Sequence, residues 1–124
     1  MALAGTTACN QALDGINAAG SPTNLMTAVT LHTASPSTTG ANENANSGGY
    51  ARQACSWNAA SSASKTNSST LTFTTAGSTA ITHFGTFSSA TYGAGTYGIG
   101  GALSSSVTAV TITVAAGALT LSAS

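Results

Sequence analysis

Charged residues are the scarcest part of this sequence. Of its 124 residues, 2 are Lys or Arg and 2 are Asp or Glu, so charged residues make up 3% of the chain and the formal net charge is zero. An ordinary soluble domain has about 25% charged residues. Such a surface has almost no long-range electric field and few groups that neutralise phosphates, so nucleic acid is not expected as a partner. A net charge near zero instead favours association with further copies of the chain.

Long apolar runs and a cysteine framework are also missing. No run approaches the roughly 18 apolar residues of a membrane-spanning helix, and residues 1–7 lack the basic and apolar regions of a signal peptide. We therefore expect neither a membrane segment nor a signal peptide. Cys9 and Cys55 form neither a CxxC pair nor a disulfide-dense framework, and we expect two small buried thiols. Whether the two cysteines pair is left open by the sequence.

Large apolar residues are present but scattered, one or two at a time. The hydrophobic content is 42%, and much of it is alanine. A chain of this length fits one domain. We expect a single domain over residues 1–124 with a thin core, made of an N-terminal segment (residues 1–22) and a β-domain (residues 23–124). A thin core predicts that partner subunits supply part of the burial.

The N-terminal segment predicts one short helix, and the rest of the chain predicts strands. Thr6 or Thr7 suits an N-cap, and Leu13 and Ile16 are three residues apart, so residues 6–18 are predicted to be helical. Beyond this segment, apolar residues alternate with Thr and Ser over short stretches, as in half-buried strands. The predicted strands are residues 25–33, 51–57, 70–75, 80–87, 103–105 and 107–114, with a bulge or turn near Ala109 and a further turn at residues 115–118.

The connections between these strands are polar. Residues 34–49 contain nothing apolar larger than Ala except a proline, and we predict a long exposed loop there; residues 59–69 form a second polar connection. Short strands at a spacing of roughly 8–12 residues, with turns between them, predict a mainly β fold: a small antiparallel β-sandwich or barrel-like domain. The many threonines favour this fold because β-branched side chains pack well on a pleated sheet.

One motif imitates a nucleotide-binding site. Residues 93–98 read Gly-Ala-Gly-Thr-Tyr-Gly and match the GxGxxG motif. The backbone of this motif approaches a pyrophosphate where the motif lies at the start of a helix. Here residues 99–102 are a poor helix start, and no acidic residue lies about 20 positions further on to hold a ribose. We therefore interpret the motif as a hairpin turn and expect no cofactor.

Residues that could bind a metal or carry catalysis are few. His32 and His83 are the only histidines and have no ligand-like neighbours in the sequence, so we expect hydrogen-bonded strand residues rather than metal ligands. Serine is abundant, but no GxSxG motif is present, and Asp14 and Glu43 are the only acidic residues. We expect a protein that is not an enzyme.

A small set of residues is predicted to have structural or contact roles. Tyr50 and Arg52 are two apart on one face of a predicted strand. Because charges are so few, Arg52 is expected to pair with Glu43 and pin the long loop onto the sheet. Tyr92 and Tyr97 lie in a Gly-rich stretch, where aromatic faces and hydroxyls permit contact with a cell-surface glycan.

Several short motifs also occur in a characteristic order: Leu31-His32-Thr33-Ala34-Ser35-Pro36, Thr39-Gly40-Ala41-Asn42-Glu43, Gly49-Tyr50-Ala51-Arg52-Gln53-Ala54, Thr82-His83-Phe84-Gly85 and the ending at residues 115–121. In order and spacing they resemble small virion proteins of tailed bacteriophages that are labelled tail-fibre-like or capsid decoration proteins. The resemblance covers nearly the whole chain. The sequence departs from that family at Ser35 and Ser37, where an acidic residue and a glycine usually flank the proline, and at Cys55, where valine is usual.

This resemblance implies a structural protein on the outer surface of the virion, made in the host cytoplasm, with no catalytic residues to carry over. It implies that Tyr50, Arg52 and His83 fix the fold. The leading hypothesis is a capsid decoration protein that binds the major capsid protein and copies of itself, as a trimer, and cements the head shell through several modest contacts. The alternative is a tail-fibre or receptor-binding module that contacts host-surface glycans through Tyr92 and Tyr97.

Overall fold

Eight β-strands and no helix make up the regular structure of residues 25–62 and 64–122, which are the residues that the computed structural model describes. The strands are β1 (Ala28–His32), β2 (Gln53–Ala54), β3 (Ser64–Thr66), β4 (Leu71–Thr74), β5 (Ile81–Phe87), β6 (Tyr97–Val107), β7 (Thr111–Val114) and β8 (Thr120–Ser122). The predicted helix at residues 6–18 lies outside the described residues, as do Cys9 and Asp14. None of the described residues belongs to a helix long and apolar enough to cross a membrane.

The strands form one sheet and two ribbons, and every pairing between them is antiparallel. The sheet has the order β2-β1-β5-β6, while β3 pairs with β8 and β4 pairs with β7. The predicted mainly β, antiparallel fold is thereby confirmed. The sheet and the β4–β7 ribbon pack against each other through one apolar cluster, whose members include Val29, Leu31, Phe73, Ile81 and Ile112.

Alternation of side chains explains the β4–β7 ribbon. Leu71 and Phe73 are buried, whereas the threonines beside them are exposed. Two-residue periodicity places alternate side chains on opposite faces of a strand, so one face of β4 contributes to the core and the other is solvated. Strand β1 differs, because all five of its residues are buried. It lies between two neighbouring strands and is covered on both faces.

Strand boundaries differ from the predictions where backbone pairing, rather than side-chain periodicity, determines where a strand begins and ends. The predicted strand at residues 51–57 shortens to β2, which pairs only with Ala28 and Val29 of β1. The polar connection at residues 59–69 contains β3, which has no apolar residue and pairs along its length with β8. The predicted break near Ala109 is present, because β6 ends at Val107 and β7 begins at Thr111.

The loop of residues 34–49, called the long loop below, is less exposed than predicted. The amide of Asn44 donates to the carbonyl of Leu31 (2.8 Å), and the amide of Thr33 donates to the carbonyl of Asn42 (3.0 Å). Asn44 is buried. The reason is that β2 covers only the first half of the β1 edge, which leaves the second half for residues 42–44. The long loop therefore completes the edge of the sheet.

The core is small and includes polar-tipped side chains. Tyr50 and Cys55 belong to the same cluster as the aliphatic residues and Phe73. The prediction of a buried thiol is confirmed for Cys55, which is 6% exposed. Burial also raises the pKa of the Cys55 thiol, so the side chain remains a neutral thiol at neutral pH.

Candidate functional site

Arg52 lies just before β2, and its guanidinium pairs with Glu43 of the long loop. Nε donates to Oε1 of Glu43 (2.8 Å), and Nη2 donates to Oε2 (2.7 Å). Two parallel bonds of this kind are the strongest arrangement of a guanidinium and a carboxylate. The side chains are 2% and 10% exposed, respectively, so the ion pair is almost completely removed from water. The structure thus contains the pairing that the sequence predicts.

The same guanidinium also binds the loop between β5 and β6, residues 88–96, called the hairpin loop below. Nη1 of Arg52 donates to the carbonyl of Ser89 (3.0 Å) and to the carbonyl of Ala94 (2.7 Å). These carbonyls lie on either side of Tyr92 in the sequence. Arg52 therefore ties together the long loop and the hairpin loop, which are separated in the sequence by the strands β2 to β5.

Tyr50 adds a second connection between the long loop and the sheet. Its hydroxyl donates to Oε1 of Glu43 (3.0 Å) and accepts from the amide of Leu31 in β1 (3.1 Å). Burial raises the pKa of this hydroxyl well above its ordinary value, so it stays protonated and keeps donating. Each oxygen of the Glu43 carboxylate is consequently held by a donor on a neighbouring element.

Aromatic rings surround the guanidinium. Its carbon Cζ lies 3.9 Å from the ring centroid of Phe87 and 5.9 Å from that of Tyr92, which are cation–π distances. Tyr92 also contacts Tyr50 edge to face, with centroids 6.3 Å apart, and Phe87 contacts Tyr97 in the same way at 5.6 Å. One cluster therefore contains Glu43, Tyr50, Arg52 and Tyr92, and Tyr97 joins it through Phe87. The sequence predicts no role for Phe87, although its position at the end of an alternating strand was a signal.

The two tyrosines of the Gly-rich stretch have different surroundings. Tyr92 is 40% exposed, whereas Tyr97 is 5% exposed. The Tyr97 hydroxyl is buried and has no hydrogen-bond partner among the described residues, and burial raises its pKa to about 12. The expectation that both tyrosines contact a glycan is therefore corrected: Tyr97 begins β6 and packs inward, because residue pairing places it opposite Phe87.

The Gly-rich motif forms a hairpin, as predicted. Gly93 and Gly95 have φ angles of +77° and +80°, in the left-handed region that glycine adopts readily. The amide of Ser88 donates to the carbonyl of Thr96 (3.0 Å), which closes the loop between β5 and β6. The chain continues from this loop into a strand rather than into the helix that a dinucleotide site requires.

Both histidines lie in strands and are paired across β1 and β5. The Nδ1 atom of His32 lies 2.7 Å from the carbonyl of Ala41, and its Nε2 atom lies 2.8 Å from Oγ1 of Thr30. A carbonyl only accepts, so Nδ1 carries the proton and Nε2 accepts from the Thr30 hydroxyl. Burial lowers the pKa of His32, which favours this neutral form. His32 thereby holds a further point of the long loop against the sheet.

The arrangement is thus a structural cross-link. It belongs to a small antiparallel β-protein in which a few buried polar residues fix two long loops beside one sheet. A sequence profile of the family described as Podophage GP4 fiber I protein gp80 matches residues 3–122. The chain belongs to this family, so it is a fibre-type structural protein of a tailed phage and a component of the virion. No curated protein sequence matches the chain.

Proposed function

We propose that the chain is a non-enzymatic module of a phage fibre that presents its hairpin loop to saccharides on the host surface. The observation that carries this proposal is the position of Tyr92. Its side chain is 40% exposed, and Arg52 holds the carbonyls on both sides of it, at Ser89 and Ala94. An aromatic side chain is therefore displayed on a loop that is fixed from within.

A fixed loop suits recognition because less conformational entropy is lost when a ligand binds. Saccharides have hydroxyl groups and apolar C–H faces, and the exposed ring of Tyr92 offers both an apolar face and a hydroxyl. Thr91 beside it is also exposed. The hairpin loop contains no charged residue. The proposed ligand is therefore a neutral saccharide rather than an anionic polymer or nucleic acid.

The buried polar groups support a role without catalysis. Both oxygens of Glu43 accept hydrogen bonds from Arg52, and Oε1 accepts a further one from Tyr50. Both ring nitrogens of His32 are engaged with Thr30 and Ala41. A general acid or base must reach the proton that it transfers. These groups instead point at one another and at the backbone, which is the arrangement of a structural network.

Binding of the full chain to immobilised neutral bacterial surface polysaccharides tests this proposal. Tyr92→Ala should weaken binding by about tenfold, since aromatic anchors at contact sites are worth more than about 1 kcal/mol. Val110→Ala is the matched control, because Val110 is also exposed, at 58%, but lies in the turn between β6 and β7. Equal binding by Tyr92→Ala and the wild type, or no binding by the wild type to any polysaccharide tested, would sink the proposal.

Capsid decoration, in which the partner is the major capsid protein, is the competing proposal, and the fibre family supports it less well. Cryo-electron microscopy of the virion distinguishes the two by position and copy number. Density confined to a fibre, in few copies, supports the fibre module. Density repeated over the icosahedral shell of the head would instead establish decoration of the outer virion surface.

A further inference from the structure

The chain that follows β1 folds back over the sheet as a small lobe, residues 33–42. The lobe is closed at its base, where the amide of Thr33 donates to the carbonyl of Asn42 (3.0 Å). Nearer its tip, the amide of Gly40 donates to the carbonyl of Pro36 (2.9 Å). Pro36 is buried, whereas most other residues of the lobe are exposed. The lobe therefore contacts the sheet with one side and faces solvent with the other.

His32 lies beneath this lobe and is completely buried. Its Nδ1 atom donates to the carbonyl of Ala41 in the lobe (2.7 Å). A Cβ atom built on Gly85 would lie 2.7 Å from Nε2 of His32 and 3.1 Å from Cε2 of Tyr97, so the two side chains share one face of the sheet. A Cβ atom built on Gly40 would in turn lie 3.0 Å from Cβ of Tyr97. The lobe therefore covers the face of the sheet on which the imidazole lies.

The titratable groups around His32 offer little compensation for a proton there. His83 pairs with His32 from β5, and Glu43 pairs with it from the long loop. The Glu43 carboxylate favours a proton on His32, whereas Arg52 and a protonated His83 oppose it. Both oxygens of Glu43 already accept hydrogen bonds from Arg52, so its charge is largely neutralised. Tyr97 brings no charge, because burial raises the pKa of its hydroxyl to about 12.

Protonation of His32 under the closed lobe therefore meets two obstacles. Burial disfavours the cation and lowers the pKa of His32 below its ordinary value of 6.5. The Nε2 atom also accepts from the Thr30 hydroxyl (2.8 Å), and protonation would make two donors face each other until that hydroxyl turned away. Lifting the lobe would admit water to the imidazole. The open form therefore binds the proton more tightly than the closed form does.

The backbone of the lobe is suited to local opening. Ser37 and Asn42 have φ angles of +54° and +61°, in the left-handed region that residues other than glycine rarely adopt. Opening releases this strain. The residues that follow the lobe are held more firmly, because Glu43 is bound by Arg52 and the amide of Asn44 donates to a carbonyl of β1 (2.8 Å). The lobe can therefore lift while the ion pair stays in place.

We propose that the lobe is an acid-sensitive element that lies on the sheet at neutral pH and lifts when His32 takes up a proton. Because the pKa of His32 is lower in the closed form than in the open form, the free energy that keeps the lobe closed is complete above about pH 6.5 and declines as the pH falls. One proton changes the opening equilibrium by at most about tenfold per pH unit. This behaviour is independent of the saccharide proposal, since it requires no ligand.

Hydrogen exchange of the full chain, measured by NMR at about pH 7.5 and about pH 5.5, tests the proposal. After correction for intrinsic exchange, protection of the Thr33 and Gly40 amides should fall by up to about tenfold, while protection in β4 stays constant. His32→Asn should abolish this pH dependence, because an asparagine amide can still donate to the Ala41 carbonyl but does not titrate. His83→Asn is the matched control: it removes the neighbouring, half-buried histidine and should keep the pH dependence.

Three results would overturn the proposal. Protection of the lobe could be the same at both pH values, or His32→Asn could respond to pH as the wild type does. Amides of β4 could also lose protection in parallel with the lobe, which would show opening of the whole fold. Should His32→Asn fail to fold, an imidazole titration of the wild type decides instead. A midpoint below 6.5 is expected for His32, and a midpoint at or above this value contradicts the proposal.

Discussion

Arg52 combines an ion pair, two backbone contacts and two cation–π contacts in one buried side chain. A buried ion pair by itself contributes little net stability, because desolvation of the two charges offsets their attraction. The two residues of the pair nevertheless depend on each other, since Glu43 without Arg52 is a buried carboxylate with no compensating charge. The planar fork of the guanidinium also reaches two directions at once, which the ammonium of lysine does not.

Arg52→Ala should therefore lower the free energy of unfolding by about 3–5 kcal/mol, the usual effect of removing one partner of a buried pair. Urea denaturation measures the change, with Lys65→Ala as the control for removing an exposed cation. In the double variant with Glu43→Ala, part of the loss should return, because no uncompensated carboxylate is left. A change below about 1 kcal/mol for Arg52→Ala would contradict the cross-link.

Tyr97 presents the opposite situation, a buried hydroxyl without a hydrogen-bond partner among the described residues. Burying an unsatisfied polar group costs about 1–3 kcal/mol. Tyr97→Phe should therefore keep or raise the free energy of unfolding, by up to about 1 kcal/mol. Tyr50→Phe is the matched comparison, since it removes two hydrogen bonds and should lower the same quantity by about 1–3 kcal/mol. Equal losses in both variants in urea denaturation would refute the distinction.

At the scale of structural elements, the hairpin loop contains two glycines whose backbones are in the left-handed conformation. Their surroundings differ. A Cβ atom built on Gly95 would lie 2.8 Å from the backbone nitrogen of Ser89, whereas one built on Gly93 would have nothing within 4 Å. Both positions have a positive φ, so alanine is strained at either of them. Only at Gly95 must the backbone of the loop also move.

Gly93→Ala should consequently cost about 1–2 kcal/mol of unfolding free energy, from left-handed strain alone. Gly95→Ala should cost more, because displacement of Ser89 also disturbs the hydrogen bond that Arg52 donates to its carbonyl. Thermal and urea denaturation of the two variants provide the comparison. A Gly93→Ala variant that is as damaged as Gly95→Ala would show that the close approach to Ser89 is unimportant.

For single strands, the alternation of side chains decides which of them the sequence predicts. Strand β4 is recognisable because Leu71 and Phe73 alternate with threonines, a signal within four residues. Strand β3, Ser64–Thr66, carries no such signal and exists because its backbone pairs with β8, more than fifty residues away in the chain. Hydrogen bonds between backbones do not depend on side-chain type, so a polar strand of this kind is invisible in a hydrophobic pattern.

At the scale of the whole molecule, the described part of the chain buries two of its three charged side chains and exposes mainly hydroxyls, amides and small apolar groups. Glu43 and Arg52 meet inside, and Lys65 is the exposed charge that remains among the described residues. A surface with one exposed charge among the described residues offers little electrostatic repulsion to a neighbouring protein, which suits a virion component.

The sequence by itself determined the β class, the positions of most strands, the turn in the Gly-rich motif and the pairing of Arg52 with Glu43. Periodicity and turn chemistry act over a few residues, and a chain with so few charges leaves little choice of partner. Only the tertiary structure decided that Tyr92 is exposed while Tyr97 is buried, and that Arg52 also reaches Ser89 and Ala94. These contacts join residues 37 and 42 positions apart, and burial at such separations depends on how sheets pack rather than on local sequence.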